Sequence, residues 1–303
     1  EQYEFTKLIN SNNNLELGKW INNNGNDIMK HANYLANTRQ IPPQLYNSHI
    51  DINVLNNFVE LNILDYLFNK LEHTHTYNIS YKNLTINLVI YSKTKITKTL
   101  LNGILTRIIT MGLFKSQDTK IVINVDIFLT QFKKLMNKDT KILGPREINS
   151  GFAERNKKLC IFRSEELNKV LVHELIHYLD LDLQDVDFKD FYKFFNISPN
   201  QKVLLNEAYA EIIAILINSI IDSHNITSNR TILNNELKFS FYQVAKILLF
   251  YGFTDANEFF QANTNTKFKQ KTSIFSYFIV KTILLYNLNT FLDLYYKNQI
   301  HRG

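Results

Sequence analysis

The chain has 303 residues, 45% of them hydrophobic and 20% charged, which is long enough to bury a core and too apolar for a disordered chain. Eight Gly and 4 Pro exclude collagen-like and linker-dominated architectures. A single Cys excludes a disulfide framework and a Cys-rich zinc module, so a metal site would have to use His, Asp and Glu.

The formal charge is +6 and the sequence pI about 9.1, yet the basic residues are scattered as singles and pairs such as Lys133-Lys134 and Lys157-Lys158. That pattern reads as a solvated surface, and no specific nucleic-acid binding is expected. No window reaches the ~18 apolar residues of a membrane span. The longest apolar stretch, Ile212 to Ile221, is interrupted by Asn218 and Ser219. No signal peptide is visible, and the lone Cys160 suits a reducing compartment. The expected location is therefore intracellular (cytoplasmic) or in a virion.

Residues 1–84 read as a helical and loop region, with Asn12 to Asn14 and Asn22 to Asn26 as polar breaks. Within it, Leu55 to Leu71 carries Leu55, Phe58, Val59, Leu61, Leu64, Leu67 and Phe68 at helical spacing. His73 and His75 follow in a Thr-rich stretch that reads as a solvated loop; on a strand, two His two apart would be placed to bind a metal. Thr85 to Tyr91 is β-branched and predicts a strand. Ile96 to Leu113 predicts a helix with Leu100, Leu101, Ile104, Leu105, Ile108 and Ile109 as its apolar stripe. Lys120 to Ile127 predicts a second strand and Phe128 to Met136 a short helix. Gly144-Pro145 marks a turn. Glu147 to Ala153 and Leu159 to Phe162 read as short extended segments. Ser164 is the expected N-cap of a helix reaching about Leu181, with Glu165 and Glu166 favouring the positive end of its dipole. Further helices are expected over Val203 to Asp222, Leu237 to Tyr251 and Ile274 to Leu285. The order predicts an α+β fold: a small sheet with an active-site helix over 85–182, then a helical part over 183–303.

The helix after Ser164 contains His173-Glu174-Leu175-Ile176-His177. Spacing i, i+4 puts both imidazoles on one helix face, where two nitrogens can bind one Zn²⁺ at about 2.0–2.1 Å. Glu174, one residue round, is placed to take a proton from a water at the open position of the metal. Downstream, Asn206-Glu207-Ala208-Tyr209-Ala210-Glu211 opens an otherwise apolar helix and sets two like charges at i, i+4. Buried and unpaired, each carboxylate would cost several kcal/mol, on the order of a full desolvation penalty. A metal on Glu207 and an imidazole N–H on Glu211 would resolve that conflict.

His-Glu-x-x-His followed by Asn-Glu-x-x-x-Glu resembles the gluzincin zinc metallopeptidases, the thermolysin-like class. The gap from His177 to Glu207 is 207 − 177 = 30 residues, within the spread of that class. The resemblance implies a zincin-like fold and one Zn²⁺ held by His173, His177 and Glu207. It implies Glu174 as general base, Glu211 as the carboxylate behind a ligand imidazole, and Asn206 as the Asn preceding the third ligand. It also implies an antiparallel edge strand that pairs with extended substrate, placed at Asn149, Ser150, Gly151 and Phe152. Botulinum-type light chains share His-Glu-Leu-Ile-His, with no further match here. The run from Asn149 to Tyr277 resembles predicted metallopeptidases of giant DNA viruses.

The implied activity is peptide hydrolysis. A cationic or phenolic donor should stabilise the oxyanion; His224, Tyr242, Tyr251 and Tyr277 are candidates, and Tyr277 is preferred because it begins a C-terminal helix. Asp180 reads equally as a support for His177 or as a solvated helix-end residue. The partners expected are a peptide or protein substrate, and virion or other proteins through the N-terminal region. The competing reading is a structural or interaction protein, such as a virion component, on a peptidase fold.

Overall fold

The computed structural model describes residues 27–30, 32–33, 59, 63, 66–67, 70–116, 119–136, 139–183, 192–193, 195, 203–223, 226–260 and 267–300. They divide into two compact units, one within 20–136 and 145–181, the other within 137–144 and 182–303.

The first unit is built on a five-stranded sheet of order β1-β2-β3-β5-β4. Strands β1 (His73–Tyr81) and β2 (Leu84–Ser92) form an antiparallel hairpin. Helix α1 (Lys98–Ser116) carries the chain to β3 (Ile121–Leu129), which runs parallel to β2 in the register Leu84↔Ile121. A short helix α2 (Pro145–Ile148) leads into β4 (Gly151–Glu154), which turns back antiparallel along β5 (Lys158–Ile161). Strand β5 is parallel to β3, so β4 lies at the sheet edge, and helix α3 (Leu167–Tyr178) follows.

Alternation decides the layers. Leu84, Ile86, Leu88 and Ile90 of β2 are buried on one sheet face together with Ile123, Val125 and Ile127 of β3. Helix α1 rests directly on that face: a Cβ on Gly112 would lie 2.8 Å from Ile123 Cδ1 and 2.9 Å from Leu84 Cδ1. Helix α3 packs on α1, β4 and β5. The other face buries Phe128, Phe152, Cys160 and Phe162 against Val59, Ile63 and Leu67. Elsewhere on that face an amide ladder crosses the strands, with Asn78 Nδ2 donating to Asn87 Oδ1 (2.7 Å) and Asn87 Nδ2 to Asn124 Oδ1 (2.8 Å). A one-residue slip would break every rung and turn the apolar set outward.

The α+β class is as expected, and five local expectations need correction. His73 and His75 lie on β1 rather than in a loop, because Thr74 and Thr76 alternate with them and the whole segment pairs with β2. No helix covers Phe128 to Met136: β3 runs on to Leu129, and the Lys134 backbone N–H donates to Glu165 Oε2 at 2.8 Å instead of to a helix carbonyl. Glu147 and Ile148 belong to α2, started by Pro145 with its preset φ, and the Asn149 N–H donates to the Pro145 carbonyl at 2.8 Å. Only Gly151 and Phe152 of the four expected edge residues lie in β4; Asn149 and Ser150 precede it. Ser164 is not the N-cap of α3. Glu166 holds that place at φ 56, without a side-chain cap bond, while the Leu167 N–H donates to the Ser164 carbonyl. Lys134 and Lys169 ammoniums each lie 2.9 Å from the Glu166 carboxylate. Burial alone would raise the pKa of Glu166, but Lys169 and then Lys134 hold it well below the usual carboxylate range.

The second unit is helical: α4 (Leu205–Asp222), α5 (Ile226–Phe250), α6 (Ala256–Phe260), a π-helical segment (Phe275–Val280) running into α7 (Lys281–Tyr286), and α8 (Leu288–Ile300). Helix α4 packs on α5, α7 and the π-helical segment, and is apolar enough to bury most of its surface. Phe253, Phe259, Phe268 and Phe275 form an aromatic cluster beside it. Among the described residues, no helix is long and apolar enough to cross a membrane.

Candidate metal centre

Helix α3 is held from both ends of its sequence. Leu171, Val172 and Leu175 are fully buried and bind it to the sheet layer, each contributing about 1.5–3 kcal/mol by burial. At its C-terminal end the Tyr178 hydroxyl donates to the Val122 carbonyl (3.0 Å) and accepts the Asn124 N–H (3.2 Å), tying the helix to β3. The helix stops there: Leu179 caps it, and Asp180 takes a left-handed φ of 55. Asp180 pairs with Arg155 at 2.7 Å, which makes it a tie between the helix end and the β4–β5 turn.

Between these anchors stand His173 and His177. Their rings meet edge to face at 4.7 Å, and their Nε2 atoms are 3.0 Å apart. Two nitrogens on one tetrahedral zinc stand about 3.3 Å apart, so the pair is already close to chelating geometry. His173 is buried and His177 half-buried. Glu207, in the first turn of α4, supplies the third group: one ligand atom from each of His173, His177 and Glu207 lies within 4.8 Å of the others. No other group of three His, Cys, Asp or Glu with this closeness occurs among the described residues. Two nitrogens and one carboxylate oxygen form a donor set that suits Zn²⁺ and leaves a fourth position open.

Glu174 is 8% exposed and lies against β4, where Gly151 faces its carboxylate arm. Glu211 is buried one turn after Glu207 on α4, and Asn206 is half-buried just before it. The thiol of Cys160 is pushed well up by burial, and Asp126 raises it further, so Cys160 is a neutral packing group and not a ligand.

Of the oxyanion-donor candidates, Tyr277 sits in the π-helical segment that packs on α4. Such i→i+5 turns are rare and are frequently found at functional sites. Tyr251 is used structurally: its hydroxyl donates to the Lys269 carbonyl and accepts the Leu143 N–H. Tyr242 is 62% exposed on α5 with Lys246 over its ring. His224 lies outside the described residues. The sequence reading missed the contact of Gly151 with Glu174, for which a glycine opening a short strand is the only local signal.

Among curated proteins, the chain is 32% identical over 162 residues to "Uncharacterized protein R210" of Acanthamoeba polyphaga mimivirus, which is 49% of this chain and 41% of that protein. The chain thus spans less than half the length of this relative. No protein-family model and no solved structure matches.

Proposed function

We propose that the chain is a zinc-dependent peptidase of gluzincin type on a zincin-like fold. The observation that carries this reading is the convergence of His173, His177 and Glu207 ligand atoms beside a buried, non-ligating Glu174. A purely structural zinc site has no use for that fourth group. His173, His177 and Glu207 would hold one Zn²⁺, with Glu211 behind an imidazole to fix its tautomer. The bound ion would supply an acidified water and a polarised scissile carbonyl.

The residues of the chain do the rest. Glu174 takes the water proton and passes it to the leaving amine. Strand β4, at the sheet edge, offers backbone N–H and C=O groups to an extended peptide, as added strands do elsewhere. Tyr277 is assigned the oxyanion hydrogen bond. Metal analysis of purified protein, joined to cleavage of peptide libraries by wild type, Glu174→Gln and Glu207→Ala, tests the reading. Wild type should hold one zinc and cleave; Glu174→Gln should keep zinc and lose cleavage; Glu207→Ala should lose zinc. Stoichiometric zinc without any cleavage would instead favour a structural role, for example as a virion component.

A further inference from the structure

Strand β4 opens with a glycine whose backbone does not need one. Among the described glycines only Gly252 takes a positive φ, so Gly151 has a conformation open to any L-residue. Space is what demands glycine there. A Cβ on Gly151 would stand 2.9 Å from the Cys160 carbonyl oxygen and 3.1 and 3.2 Å from Cγ and Oε1 of Glu174. The first neighbour is backbone of β5, held by the ladder that pairs Gly151 with Ile161 and Phe152 with Cys160, and cannot give way. The second is the arm of the carboxylate itself.

From this packing we infer that Gly151 is a positioning residue for Glu174. Its bare Cα forms the floor on which the carboxylate arm lies, and so sets where the carboxylate oxygens stand relative to His173 and His177. The inference rests on the peptidase reading for its functional meaning, while the contact itself lies within one compact unit. The neighbouring positions sharpen it. Val172, before the His-Glu pair, is fully buried and Leu175, after it, is too, so the helix backbone cannot shift to accommodate a methyl group. Glu174 is also 8% exposed, so its arm has little free solvent to swing into. A methyl on Gly151 must therefore either turn the carboxylate or push β4 off its place. Either shift amounts to a few tenths of an ångström at a proton-transfer site, where misplacement by about 1 Å can cost 10²-fold in rate.

A double-mutant cycle on the full chain tests this without reference to turnover. Gly151→Ala, Glu174→Ala and the double variant are compared by thermal unfolding. The collision with the Cys160 carbonyl is present in both backgrounds and cancels. Gly151→Ala should lower Tm by clearly less when Glu174 is already Ala. Equal lowering in the two backgrounds would overturn the assignment. Should Gly151→Ala fail to fold, its recovery in the Glu174→Ala background gives the same support, and failure in both overturns it, since the carbonyl alone then accounts for the glycine. Turnover supplies the second arm. Gly151→Ala should retain one zinc, with kcat lower by about 10- to 100-fold and KM changed by less than kcat. An unchanged kcat would overturn the inference. A wild-type chain that cleaves nothing defeats the peptidase reading, and the unfolding cycle still decides the contact.

Discussion

Two pairs of histidines stand in the same unit and differ in what surrounds them. His73 and His75 alternate on one face of β1, with ring centroids 6.2 Å apart and nearly parallel planes. His173 and His177 are one helical turn apart, with Nε2 atoms at 3.0 Å and a carboxylate from Glu207 within ligand range. Both spacings put two imidazoles on one face. The strand pair acquires no third ligand among the described residues, whereas the helix pair does. The difference teaches that same-face spacing is common, and that the third donor makes a metal site.

The sharpest break between the pairs is chemical. Glu174→Gln should lower kcat by about 10²–10⁴-fold with zinc retained, because the amide cannot take the water proton at neutral pH. The double substitution His73→Gln/His75→Gln should leave both zinc content and kcat unchanged. Zinc lost from that variant would merge the two pairs and refute the distinction. Next comes the scaffold of the helix pair. Leu175, fully buried between His173 and His177, should cost about 2–5 kcal/mol when cut to Ala, read by denaturant unfolding. Such a loss would show that the pair is held by packing before any metal arrives.

A smaller effect tests the support behind the ligands. Glu211→Gln should weaken zinc affinity by roughly 10–100-fold in a chelator competition, with the fold intact by circular dichroism. Unchanged affinity would return Glu211 to the status of a buried helix residue. The smallest effect belongs to the strand pair. Burial, and then the neighbouring His73, lower the pKa of His75 below its ordinary 6.5. The unfolded chain therefore binds the proton more readily, and stability is lost as pH falls below about 6.5 toward the folded value. His75→Gln should flatten that part of the stability profile. A profile identical to wild type would mean that His75 is not held neutral by the fold.

Much of this contrast was legible locally. The i, i+4 spacing in α3 and the charged opening of α4 are properties of short windows, and both helices form where periodicity puts them. Strand β2 and helix α1 were equally readable, because their apolar stripes face one packed layer. The α+β class followed from sequence for that reason. The four-residue strands β4 and β5 were near the limit of what a short extended run can announce.

Other features depend on partners distant in sequence. His73–Tyr81 became a strand because β2 offered its edge, and Thr-rich alternation alone suits a loop as well. The chain after Leu129 stayed out of a helix because Glu165 took the Lys134 N–H, some thirty residues away. Lys134 and Lys169 made Glu166, and not Ser164, the residue at which α3 begins. Gly151 reads in sequence as one more residue of an extended segment, and its role exists only because α3 lays Glu174 across it. By itself the sequence determined which residues share a helix or strand face, since 3.6- and 2-residue periods are properties of the backbone. Tertiary structure alone decided which faces meet, because that choice is made by volume, pairing and charge between segments no short window contains.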